Sequence, residues 1–191
     1  MDLHELYVGC RTYRRFTREE VPEGVIREAL ENARIASSGR NAQSLRYVAV
    51  TSPEAVRDMQ PLVKWAAALP PEIGTPKEDE QPTAFILVIK TPEAGAFSDV
   101  DVGIAVNTIV TSCWSRGVGS CLMGAINIPK IKERFGVAEE DTLRLAIALG
   151  KPAHRSTIVE LPENGAVHYY VDENRDYYVP KRAFRDIVRF V

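Results

Sequence analysis

Six consecutive apolar residues, Ala84-Phe85-Ile86-Leu87-Val88-Ile89, constrain the fold of this chain more than any other feature. Successive side chains of a strand point to opposite faces, so a run with no polar position must be covered on both sides. This segment is therefore expected as a central strand of its sheet. Around it, the chain alternates helical and strand patterns. After Pro22, which suits a helix start, Val25, Ile26, Ala29, Leu30, Ala33 and Ile35 recur at helical spacing. Leu45 to Val50 reads as a strand, and Ser52 as the N-cap of a helix expected to run to about Leu69.

Residues 70–83 carry four prolines and five charges, and read as an exposed loop or lid. The segment from Ser98 to Arg116 is the most apolar helix, with apolar residues on more than one face, as a buried central helix requires. A short strand near Ser120 to Met123, a helix at Pro129 to Phe135 and a strand at Leu143 to Leu149 follow. Val167 to Tyr170 and Asp176 to Val179 suit a hairpin, and a short helix begins at Ala183. Without a strict βαβ rhythm, the pattern points to a mixed-sheet α+β domain spanning 1–191, with a C-terminal extension from about residue 153.

Composition excludes several function classes. With 24 Lys+Arg against 26 Asp+Glu the formal charge is −2, which argues against a polybasic nucleic-acid binder driven by bulk charge. No apolar run approaches the roughly 20 residues of a membrane span, and the first residues lack a signal peptide's continuous apolar region. Cys10, Cys113 and Cys121 are scattered, which fits a reducing cytoplasm better than a disulfide framework. Neither nucleic acid nor membrane is an expected partner.

Local chemistry is concentrated in a few places. Arg11-Thr12-Tyr13-Arg14-Arg15 sets three arginines and a hydroxyl just after a helix. Such a cluster reads either as a solvated helix C-terminus or as an anion site, since guanidinium forks suit phosphate. Ser37-Ser38-Gly39-Arg40-Asn41-Ala42-Gln43 reads either as a helix C-cap with its loop or as a polar reader of a heterocycle edge. Gly117 to Gly124 misses the dinucleotide fingerprint and follows a helix instead of a strand, although Gly124 allows close backbone approach to something flat. Lys181-Arg182 is a compact basic pair. His4, His154 and His168 have no metal-ligand spacing, and His168 reads as a packed hairpin residue. No metal is expected. With no catalytic acid, base or nucleophile standing out, the pattern favours chemistry carried by a bound cofactor.

Taken in order, these segments resemble the nitroreductase family of FMN-dependent oxidoreductases. Cys10 to Phe16 is similar to the family's opening Arg-Arg-Ser-x-Arg-x-Phe signature, with Cys10 where a basic residue is usual. Ser37 to Gln43 is similar to the stretch that the partner subunit lends to the flavin, with Ser44-Leu45 in place of the usual Pro-Trp. Asp101 to Gly124 resembles the central dimer helix and the strand behind the isoalloxazine, and Ala146 to Pro152 resembles the family's "ALGYP" ending. The resemblance implies an α+β nitroreductase-like fold, with a central mixed, mainly antiparallel sheet flanked by helices and a long central helix at a homodimer interface.

It also implies FMN held by Arg11, Thr12, Arg14, Ser38, Asn41, Gln43, Met123, Gly124, Lys181 and Arg182, with Arg155 competing for the phosphate role. A backbone N–H near Gly124 would face flavin N5, and no side chain is assigned as catalytic. Trp65 and residues 70–83 would wall the pocket. The implied activity is ping-pong hydride transfer from NADH or NADPH to an electron-poor small-molecule acceptor of nitroaromatic or quinone type. Reductive dehalogenation and a non-catalytic flavin-binding module are the alternatives.

Overall fold

In the computed structural model, which describes residues 2–66 and 69–191, the central sheet has four strands. They are β1 (Leu45–Val50), β2 (Ala84–Lys90), β3 (Gly119–Met123) and β4 (Thr142–Gly150), in the order β1-β2-β4-β3 with every pairing antiparallel. Ala84 to Ile89 are all buried, as an inner strand with no polar face demands. Their alternation divides the core in two. Ile86 and Val88 pack with Ile147 and Leu149 beneath α2 (Glu23–Ile35) and α5 (Ser98–Ser115). Phe85 and Leu87 pack with Ala146 and Ala148 beneath α3 (Pro53–Met59) and α6 (Ile128–Phe135).

Two expectations are corrected by local chemistry. α3 does not run to about Leu69: it ends at Met59 and gives way to a tighter turn over Gln60–Leu62, where Pro61 lacks the N–H a continuing helix needs. Part of that expectation, Ala67 and Ala68, lies outside the described residues. α5 is buried on one side only, through Val102, Ala105, Val106, Ile109 and Cys113. Its other side leaves Val100 at 54% and Ile104 at 37% exposure, with exposed Leu122 of β3 across a shallow groove. Among the described residues no helix is long and apolar enough to cross a membrane.

Beyond the central sheet, β5 (Ser156–Glu160), β6 (Tyr170–Val171) and β7 (Tyr177–Lys181) form a second sheet in the order β5-β7-β6. β6 and β7 make the expected hairpin, with Tyr170 opposite Tyr178. β5, which the sequence pattern does not announce, runs parallel to β7. His168 is exposed and not packed as expected; the packed histidine is His154, 8% exposed. α1 (Leu3–Gly9) precedes the arginine cluster, α4 (Pro71–Gly74) lies in the proline-rich loop, and α7 (Phe184–Ile187) is the short terminal helix.

The arginine-rich stretch after α1 is laced to the ends of β3 and β4. Thr12 makes an isolated parallel bridge to Ser120, beside a main sheet whose own strands pair only antiparallel, and Tyr13 N–H donates to the Ser120 carbonyl at 2.8 Å. Thr17 N–H donates to Lys151 O, and Ala153 N–H donates back to Arg15 O. This approach is close enough to require glycine on the sheet side. A Cβ on Gly150 would lie 2.7 Å from Phe16 Cδ1, and one on Gly119 would lie 2.7 Å from Pro152 Cγ and 2.8 Å from Tyr13 Cδ2. Phe16 is fully buried and has no room to retreat. Gly150→Ala is accordingly expected to destabilise the protein by about 1–3 kcal/mol, the usual cost of overpacking, read as a lower denaturation midpoint with unchanged slope.

Candidate functional site

Each arginine of the Arg11 to Arg15 cluster has a different fate. Arg15 is largely buried: its Nη1 reaches Glu80 Oε1 at 3.1 Å, and its Nη2 donates to the carbonyls of Asn174 and Arg175. It serves structure, tying the N-terminal stretch to the extension. Arg11 donates from Nη2 to Tyr7 O at 2.7 Å, capping the exposed end of α1, while its Nε is buried without a partner. Thr12 is exposed.

Arg14 differs from both. Its guanidinium lies 4.4 Å above the Tyr169 ring and 5.0 Å from the Tyr177 ring, and has no acceptor among the described residues. Two aromatic faces thus hold a planar cation with its N–H donors free. Cys10, at the position the resemblance gives to a basic residue, turns to the Val110 carbonyl of α5, and burial pushes its thiol up.

Beneath Arg14 lies an aromatic stack. Tyr13 stacks on Trp114 at 5.1 Å and meets His154 at 5.4 Å; His154 meets Tyr177 at 4.6 Å. Arg14 N–H donates to His154 Nε2 at 2.9 Å, and His154 Nδ1 lies 2.8 Å from Arg155 O. A carbonyl only accepts, so Nδ1 carries the proton and Nε2 is free to accept. Burial holds this imidazole down to about 4, so it is neutral at physiological pH. His154 has no ligand spacing in the sequence. Its partner is a backbone amide 140 residues away, which no local signal announces.

The loop after α2 is the second cluster. Arg40, Asn41 and Gln43 have φ of 55°, 56° and 50°, an unusual density of left-handed non-glycine residues. The loop is anchored by Gly39 N–H donating at 2.7 Å to Oδ1 of the buried Asp101, in the first turns of α5, and closed by Gln43 N–H to Ser38 Oγ at 3.4 Å. Ser38 and Gln43 also reach the rim of a cavity of about 630 Å³ between α2 and β1.

The structure places these groups apart within one chain. The Ser38 to Gln43 loop sits on Asp101, whereas Cys10 and Tyr13 sit on Val110 and Trp114 of the same helix. Thirteen residues of helix, about 20 Å, separate the two ends. Met123 is buried at the end of β3, and Gly124 follows it, exposed, with open space where a Cβ would stand. Trp65 packs edge-on to Phe16 and follows the bridge between Val63 and Ile126, next to Gly124. Lys181 and Arg182 are exposed at the far end of β7, about 13 Å along the strand from Tyr177, and do not join Arg14 within the chain. Arg155 is also exposed. Among the described residues no group of three or more His, Cys, Asp or Glu is placed to hold a metal ion.

The 70–83 loop is fastened instead of free. Glu80 accepts from Arg15 and, at 3.0 Å on both oxygens, from Arg175, whose Nη2 donates to Ile73 O. Phe16 N–H donates to Glu80 O. Burial alone would raise the Glu80 carboxyl, but the Lys77 N–H and the Arg15 and Arg175 guanidinium groups outweigh it and hold it below its ordinary 4.5. A lowered folded-state value means stability that is present above about 4.5 and is lost as pH falls through the folded value. Glu80→Gln is expected to cost about 2 kcal/mol at pH 7, since hydrogen bonds to charged groups contribute about 1.5–3 kcal/mol each. Denaturant titrations from pH 7 to pH 3 should show the parent losing more stability than the variant over the acidic interval.

Comparison with known proteins follows the geometry. The family model described as the nitroreductase family matches residues 9–151. Among solved structures, the chain is similar to a putative nitroreductase in complex with FMN from Desulfovibrio desulfuricans, at 20% identity and a TM-score of 0.69, over 86% of this chain and 94% of that one. It is also similar to a putative NADH dehydrogenase/NAD(P)H nitroreductase from Bacteroides thetaiotaomicron, at 16% identity and a TM-score of 0.69, over 87% of this chain and 95% of that one. An FMN-dependent nitroreductase from Clostridium difficile gives 16% identity and a TM-score of 0.68, over 81% and 90%. At these identities the likeness establishes the fold.

Proposed function

The chain belongs to the nitroreductase family, and from that premise we propose that it is an FMN-dependent oxidoreductase passing a hydride from NADH or NADPH to an electron-poor acceptor of nitroaromatic or quinone type. The observation that carries this reading is Arg14, held over two tyrosine rings with no acceptor among the described residues. A guanidinium so placed is complementary to the oxygen-rich edge or phosphate of a flavin. Thr12 offers a hydroxyl two residues away on the exposed side, and Gly124 leaves open space for a flat ring. FMN, when bound, supplies hydride uptake and release at N5, so the chain needs no acid, base or nucleophile of its own. Its residues bind and orient the cofactor and offer a backbone N–H near Gly124, and Trp65 is assigned as a wall of the site that donor and acceptor use in turn. Three free cysteines suit a cytoplasmic setting.

A second copy completes the site in this reading. The two clusters lie at opposite ends of α5, and the outward side of that helix exposes Val100 and Ile104. Antiparallel packing of two α5 helices would bring the Ser38, Asn41 and Gln43 loop of one copy toward Arg11, Thr12 and Arg14 of the other. It would also cover Val100, Ile104 and Leu122. Lys181 and Arg182, remote from Arg14 in their own chain, are assigned to the phosphate of a shared site.

Two measurements test this reading. Purified protein should be yellow, or become so with added FMN, and its flavin absorbance should bleach under NADH or NADPH without oxygen. Colourless protein that takes up no FMN overturns the proposal, and flavin that binds but resists both nicotinamides leaves a binding module. Ile104→Glu should halve the mass seen by sedimentation from twice the 21.3 kDa chain and lower flavin affinity at least tenfold in the same sample.

A further inference from the structure

The family match ends at residue 151, yet the chain immediately beyond it returns to the arginine cluster. His154, Tyr169 and Tyr177 all come from this later segment, and all three touch Arg14. We propose that His154 is a positioning residue for Arg14, which sets the flavin affinity of the site from within the C-terminal extension without itself contacting the flavin. This rests on the FMN reading above.

The argument runs from donors to geometry. The Arg155 carbonyl takes the Nδ1 proton and thereby fixes the tautomer. The unprotonated Nε2 then accepts the Arg14 N–H at 2.9 Å, which fixes where the Arg14 backbone sits relative to the start of β3. The same imidazole packs against Tyr13 on one side and Tyr177 on the other, so it also sets the position of the ring beneath the guanidinium. Tyr177 is itself tied down by its N–H to Arg155 O at 2.9 Å, so one carbonyl orients both the imidazole and the tyrosine. Tyr169, 5.8 Å from Tyr177, supplies the second face. The outcome is a long, otherwise mobile side chain held against two aromatic rings before any ligand arrives, which lowers the ordering cost of binding.

Nothing in this arrangement places the imidazole at the reacting atoms. Its two nitrogens are both engaged by backbone, and it is neutral and buried. Its influence passes through Arg14 alone, and that is what an experiment can isolate.

A thermodynamic cycle on FMN affinity, measured by quenching of flavin fluorescence, separates this role from a general effect on folding. His154→Phe keeps a ring but removes the acceptor, and should weaken FMN binding at least tenfold. His154→Gln, whose amide oxygen can accept the Arg14 N–H, should bind FMN within about threefold of the parent. Arg14→Ala should weaken binding more than tenfold, and adding His154→Phe to it should change affinity no further. Additive losses, or unchanged affinity in His154→Phe, overturn the proposal. Should His154→Phe not fold, Tyr169→Leu, at a half-buried position on the free face of the cation, is expected to give at least a threefold loss that likewise vanishes in the Arg14→Ala background; a loss that persists there overturns it.

The imidazole ¹⁵N shifts of the flavin-free protein provide a readout independent of the cofactor. They should report an Nδ1–H tautomer that stays neutral at pH 5, and an Nε2–H tautomer or a protonated ring at that pH overturns the positioning role. Parent protein that takes up no FMN defeats the functional reading; parent that binds FMN with an additive cycle defeats this inference only.

Discussion

Burial of both faces of β2 is the constraint from which the rest of the architecture follows. A strand whose first six side chains are all apolar cannot lie at an edge or face water, so it needs neighbours on both sides and a helical layer above and below. α2 and α5 provide one layer, α3 and α6 the other. With the middle of the sheet closed in this way, chemistry is pushed to the ends of strands and helices. The arginine stretch at the start of β3, Gly124 at its end, and the loop at the start of α5 all occupy such positions.

Charge is distributed by the same logic. A chain of net charge −2 contains three arginines within five residues, and the structure sorts them by partner instead of massing them. Glu80 neutralises Arg15 where both are withdrawn from solvent, and it simultaneously engages Arg175. The Tyr7 carbonyl of α1 receives Arg11. Arg14 is left with aromatic faces, which attract a cation through their quadrupole but satisfy none of its N–H donors. One overall charge is therefore compatible with both a rigid structural ion cluster and a cation available to a ligand.

Much of this was legible in the sequence, and the parts that were not share a cause. β2, β4, α2 and the outline of α5 are announced by unbroken or periodic apolar runs, because their burial depends on their own side chains. β5 escaped because its residues are mostly exposed or half-buried and its order comes from parallel pairing with β7, some 20 residues later. His154 and Glu80 escaped for the same reason. Glu80 stands in a proline-rich acidic loop and reads as a solvated charge until Arg15 and Arg175 arrive from 65 and 95 residues away. Of the expected cofactor residues, the structure brings Arg11, Thr12 and Arg14 to one strand end and gathers Ser38, Asn41 and Gln43 in one loop. Spacing alone says nothing of how far apart those two groups lie.

If the proposed pair forms, the separation of the two clusters along α5 has a thermodynamic consequence. In the proposed arrangement, a binding site divided between the two ends of one helix and completed by a second copy would make cofactor and partner linked ligands of the same protomer. Each would then raise the apparent affinity for the other by the same factor. Dilution alone would release flavin, and flavin depletion alone would loosen the pair. The occupancy of the cofactor would thus become a function of how much of the chain is present.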